Sequence, residues 1–69
     1  MKIQDIKKLV SGFSYFKIDT LFDPIQTHAI YGISKCDIEP IKNKLKPIAN
    51  RFRKVKANND SYILCFKIK

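Results

Sequence analysis

Few side chains in this 69-residue chain are of the types that make or break covalent bonds, and they are scattered. The single histidine, His28, closes the stretch DTLFDPIQTH, which begins at Asp19 and also holds Asp23. An imidazole within reach of carboxylates can move protons as a general acid or base. Asp23 also precedes Pro24, and aspartates in such stretches are common turn formers. The expectation is therefore a loop rather than a catalytic set, and a non-enzymatic protein. A ribonuclease-type toxin needs little more than Lys, Arg, Tyr and His around a scissile phosphate, so it stays as a third functional reading. Cys36 and Cys65 lie far apart, and with one histidine they do not supply the four ligands in paired spacings of a structural zinc site. There is no Gly-rich phosphate loop and no nucleophile elbow. No metal and no cofactor are expected, and both cysteines read as thiols.

What the chain has in quantity is positive charge. Fourteen Lys and Arg stand against six Asp and Glu, for a net charge of +8. The charge is lopsided: residues 35–69 hold ten basic and three acidic residues, +7, leaving +1 for residues 1–34. A basic half on a small protein attracts polyanions, whether nucleic acid or an acidic protein surface. The start, MKIQDIKKLV, is charged throughout and lacks the apolar core of a signal peptide. No apolar run approaches the roughly 20 residues of a membrane span. A cytoplasmic protein is the expectation, with no membrane contact.

The elements that must position these charges read as one small α+β domain over 1–69. Residues 2–11 have helical apolar spacing through Ile3, Ile6, Leu9 and Val10, with Gly12 expected to end the helix in a left-handed conformation. FSYFKID, 13–19, alternates as a strand, and THAIYGISK, 27–35, is rich in β-formers. DIEPIKNKLKPIANRF, 37–52, carries an apolar stripe of Ile38, Ile41, Leu45, Ile48, Ala49 and Phe52 and reads as one helix bent at Pro47; the alternative is a break at Lys46. RKVKA and SYILCFKIK then form a hairpin around the turn at 58–60, where Asn and Asp tolerate positive φ. The order is α-β-β-α-β-β: a four-stranded antiparallel sheet with two helices packed on one face. IQDIKKL at 3–9 and IEPIKNKL at 38–45 share Ile-x-x-Ile-Lys at an offset of 35, which raises an internal α-β-β duplication.

Strand alternation predicts the two faces of that sheet. The helices should cover Phe16, Ile18, Val55, Leu64 and Phe66. The opposite, open face should show Tyr15, Lys17, Lys54, Lys56 and Lys67 around Ile63 and Cys65, with His28 and Ile30 beside them. Cations around exposed aromatics are one way to bind single strands, bases stacking while phosphates meet ammonium groups. A second basic surface should run along the kinked helix and out of it, through Lys42, Lys44, Lys46, Arg51 and Arg53, where a phosphate backbone could lie. The competing readings are a solvated sheet face whose lysines keep edges from pairing with other chains, and a solvated amphipathic helix.

The first functional reading is thus a small nucleic-acid-binding protein, for DNA or RNA, gripping mainly the phosphate backbone. The alternative is a protein-binding inhibitor or adaptor of the mobile-element type, docking on an acidic or nucleic-acid-binding surface. A homodimer is also expected, because strand 61–69 has few devices to protect it as a sheet edge.

Overall fold

The structure, a computed structural model, describes residues 3–69; Met1 and Lys2, the start of the first expected helix, lie outside the described residues. Helix α1 spans Ile3–Leu9, strand β1 Lys17–Thr20 and strand β2 His28–Ile33. A 3₁₀ turn at Lys35–Asp37 leads into helix α2, Ile38–Leu45, followed by β3, Ala49–Lys56, and β4, Tyr62–Ile68. The α-β-β-α-β-β order and the four-stranded antiparallel sheet are as expected from the sequence. No helix among the described residues is long and apolar enough to cross a membrane.

Both helices lie on one face of the sheet because both present an apolar stripe at helical spacing. Ile6 and Val10 of the α1 segment and Ile38, Ile41 and Leu45 of α2 are buried together with Ile18, Ile30, Ile33, Leu64 and Phe66 of the sheet. Each such aliphatic side chain removed from water contributes about 1.5–3 kcal/mol. Pro40 sits in the first turn of α2, where the amide it lacks would have no partner.

The second helix is shorter than the sequence suggests. It stops at Leu45, with the Lys46 N–H donating to the Lys42 carbonyl at 3.0 Å, and Pro47 follows. The expected single bent helix over 37–52 is therefore corrected to a helix that breaks at Lys46. Pro47 has no N–H to continue the ladder and its ring blocks the preceding turn. Residues 49–52 join the sheet instead. Two turn expectations also change. Among the described glycines only Gly32 has positive φ, so Gly12 does not end α1 by a left-handed turn. At the β3–β4 hairpin the Asp60 N–H donates to Asn58 Oδ1 at 3.1 Å, and no residue there has positive φ.

The strands lie in the order β1-β2-β4-β3, so β4 is an inner strand with both edges paired. That removes the unprotected edge on which a homodimer was expected. The real edges are β1, only four residues long, and β3. The order reads alike from either side, outer, inner, inner, outer, and the 35-residue offset carries α1 onto α2 and each hairpin onto the other.

Two bulges set the faces. In β2 the register with β4 shifts between Ile30 and Ile33, where Gly32 has φ +75°. A Cβ on Gly32 would lie 2.6 Å from Phe16 Cβ and 2.9 Å from Phe16 N, so only glycine fits beside the chain entering β1. In β3 the register shifts between Asn50 and Arg53, and Arg51 has φ +53°. The extra residue reverses the parity of the rest of the strand.

Candidate functional site

Cross-strand partners share a face, so the register assigns each candidate side chain. Ile18, Ile30 and Leu64 align across three strands on the helix side, and His28 aligns with Phe66 there. Lys17, Tyr31, Asp19 and Ala29 belong to the open side, as do Arg53 opposite Cys65 and Val55 opposite Ile63. Lys67, paired with Asn50, is on the open side too.

Four expectations fail at this point. His28 and Ile30, expected beside the open face, lie on the helix side, because β2 is buried on both faces and its alternation cannot fix its register. Lys54 pairs with Leu64 and Lys56 with Tyr62, so both lysines lie on the helix side and Val55 takes their place on the open face. The reason is the bulge at Arg51–Phe52 together with Phe52 itself, whose ring packs on Phe66 at a centroid distance of 6.0 Å. Burying a phenyl ring outweighs burying one valine. Tyr15 is half-buried against the core, before β1 begins, and is not on the open face. Phe16, expected in the core, is 80% exposed.

The open face is consequently poor in stacking surface. Tyr31 is its aromatic residue, and Lys17 Nζ lies 5.0 Å from that ring's centroid. Lys17 in turn meets Asp19 Oδ2 at 3.5 Å. Ala29 at the centre is fully covered by its neighbours. Burial pushes the Cys65 thiol up; the facing Arg53 guanidinium opposes that shift and the Asp23 carboxylate adds to it.

The basic residues gather along the edge strand instead. Within six residues β3 carries Arg51, Arg53, Lys54 and Lys56 and no acid. Arg53 points to the open side and Lys54 and Lys56 to the helix side, while Arg51 stands at the bulge; all four are exposed. Helix α2 adds to the helix-side flank. Lys42 Nζ lies 5.6 Å from the Phe52 ring centroid, and Lys54 Nζ lies 5.8 Å from that of Tyr62. Lys46, one turn after Lys42, is exposed at the helix end. Two surfaces that the sequence suggests as separate, a sheet face and a helix, thus meet along the flanks of β3. Arg51 belongs to β3, not to the helix expected to run through it, and Arg53 is in a strand as expected.

Nothing in the sequence singles out Gln26. Buried Gln26 donates from Nε2 to the Arg51 carbonyl at 3.0 Å, tying the β1–β2 loop to the β3 bulge. A glutamine in a loop gives no signal in the sequence for a bond to a main-chain carbonyl 25 residues away.

Asp19, Asp23 and His28 are not brought together. Asp19 is on the open face, and His28 stacks on Phe66 on the helix side with rings 6.0 Å apart. Asp23 Oδ1 accepts the N–H groups of Ile25 and Gln26 at 2.7 and 3.3 Å. Burial lowers the His28 pKa. The Thr27 hydroxyl, which accepts the Ile68 N–H at 3.1 Å, is 2.8 Å from His28 Nδ1 and can donate to a neutral imidazole. Cys36 is exposed and Cys65 half-buried, both as free thiols, and no three His, Cys, Asp or Glu side chains cluster among the described residues. No pocket is present among them either. Compared with family models, curated proteins and solved structures, the chain has no significant match.

Proposed function

We propose that the protein binds nucleic acid without catalysing a reaction on it, and that the edge strand β3 with the end of α2 is the contact surface. One observation carries this reading: four cations in six residues of an edge strand, set on both of its flanks, with Lys42 beside them. From Arg51 to Lys56 the strand runs about 17 Å at about 3.3 Å per residue. Measured along the axis of a duplex, that length covers about five base-pair steps at 3.4 Å each. Charge on both flanks of a ridge suits a groove or a flexible backbone that wraps the edge, where a flat acidic surface would meet one flank only.

The absence of an open aromatic platform on the sheet face favours phosphate contact as the main source of affinity. Rings that lie under a lysine ammonium, as Tyr31, Phe52 and Tyr62 do, offer a base one face at most.

The test is a salt titration. With Arg51, Arg53, Lys54, Lys56 and Lys42 engaged, log affinity should fall against log salt with a slope of about −4.5 on duplex DNA or about −3.5 on a single strand. Replacing Lys54 and Lys56 together by Ala should make the duplex slope shallower by about 1.8. Replacing the exposed α1 residues Lys7 and Lys8 should leave it unchanged. A binding curve flat between 50 and 200 mM salt, or equal losses from both pairs, overturns the proposal. A single protein captured stoichiometrically after nuclease treatment would assign the edge to an acidic partner instead.

A further inference from the structure

We infer that the ligand of the β3 edge is single-stranded nucleic acid, with Phe22 supplying the surface on which one base stacks. This rests on the reading of β3 as a phosphate-binding edge and adds the class of ligand. Phe22 is 107% exposed, so both ring faces are in solvent. A phenyl ring left in water is ordinarily a sign of a slack loop, yet this loop is pinned at several points. The Leu21 N–H donates to the Thr27 carbonyl at 2.8 Å and closes it. The Asp23 carboxylate accepts two amides of the turn, at 2.7 and 3.3 Å. The buried Gln26 side chain then fastens the loop to the Arg51 carbonyl at 3.0 Å.

The last bond gives the ring a place in the proposed site. Gln26 ties the loop that carries Phe22 to the main chain at Arg51, the first cation of β3, so the loop and the bulge of the basic edge are joined directly. A ring together with cations is the chemistry single strands need: unstacked bases for the ring, phosphates for the cations. A duplex keeps its bases stacked inside and offers the ring nothing. An anionic bilayer is the rival for a ring on a basic protein. However, Asp23 lies between Phe22 and Ile25, and seating both apolar side chains in a membrane would draw a carboxylate into the low-dielectric boundary.

The chain has no tryptophan, so Phe22→Trp creates a single reporter at an exposed position. It would be titrated at low salt with an oligothymidylate of roughly 12 nucleotides, within the usual site sizes, with a blunt duplex of equal length, and with phosphatidylserine vesicles. Stacking predicts quenching by the single strand and none by the duplex. Phe22→Ala should weaken single-strand affinity about 5- to 150-fold, the worth of one base stack, and leave duplex affinity as it was. The inference fails if the reporter answers both nucleic acids alike, if Phe22→Ala costs nothing, or if only vesicles move the emission. Should the native protein bind neither oligonucleotide, the reading of β3 falls and takes this one with it.

Discussion

Arg51 combines an unfavourable backbone with an exposed side chain. Its φ of +53° is a conformation that costs an L-residue roughly 1–2 kcal/mol. The bulge needs it, and the Gln26 bond to its carbonyl holds it there. Glycine would adopt the same conformation without the Cβ penalty but would lose about 0.5–1 kcal/mol to the greater freedom of the unfolded chain. The exposed guanidinium contributes little packing to offset the strain. Arg51→Gly should therefore raise stability by about 0.5 kcal/mol, seen as a melting temperature a few degrees higher, while weakening polyanion binding. A variant that melts lower than the native protein would show that the arginine side chain makes a contact that stabilises the bulge. The residue type was visible in the sequence as one of several cations; its strain was not, because a left-handed φ at a non-glycine position follows from the register and not from the residue.

The two glycines make opposite predictions for the elements they join. Gly32 has φ +75° and backs against Phe16, so an alanine there meets both a strained φ and a contact of 2.6 Å. Gly32→Ala should destabilise by about 2 kcal/mol or more, since backbone strain and a clash with main chain add. Gly12 has ordinary φ and open space where a Cβ would sit, so Gly12→Ala should stabilise by about 0.4–1 kcal/mol through the unfolded state. Denaturant melts of the two variants check both signs; equal effects would place the β2 bulge elsewhere. At this scale the sequence was legible wherever one face of an element is buried. Tyr62, Leu64, Phe66 and Ile68 share the helix side, as their alternation predicts. It misled at β3, an edge strand whose outer residues no helix covers. There the hydrophobic pattern of Arg53–Lys56 has no core to answer to, and a distant Phe52–Phe66 contact selects the register.

Over the whole molecule the charge acts in two opposed ways. The described chain measures 29 × 24 × 17 Å, close to the Debye length of about 30 Å at 0.01 M salt and well beyond the roughly 3 Å at 1 M. At low salt the +8 charge repels itself across the whole fold. Surface pairs such as Lys17–Asp19 recover at most about 1 kcal/mol. Added salt should therefore raise the melting temperature while it weakens the proposed nucleic-acid binding. A melting temperature that falls with salt would mean that attractive pairs dominate the surface. The same repulsion predicts that a polyanion bound to the folded protein stabilises it by neutralisation, in addition to the mass action of any ligand that binds only the folded state.

The sequence by itself determined the element order, the apolar stripes that bury the helices, the inward face of β4 and the concentration of charge in the second half. All of these follow from composition and local periodicity, which need no partner strand to be read. Only the tertiary structure decided which flank each cation of β3 occupies, that α2 ends before Pro47, that β4 lies inside the sheet, and that Gln26 ties the β1–β2 loop to the Arg51 carbonyl. Those depend on register, and a single extra residue at the bulge inverts every side chain after it. The basic stretch is thus a property of the sequence, and the basic edge is a property of the fold.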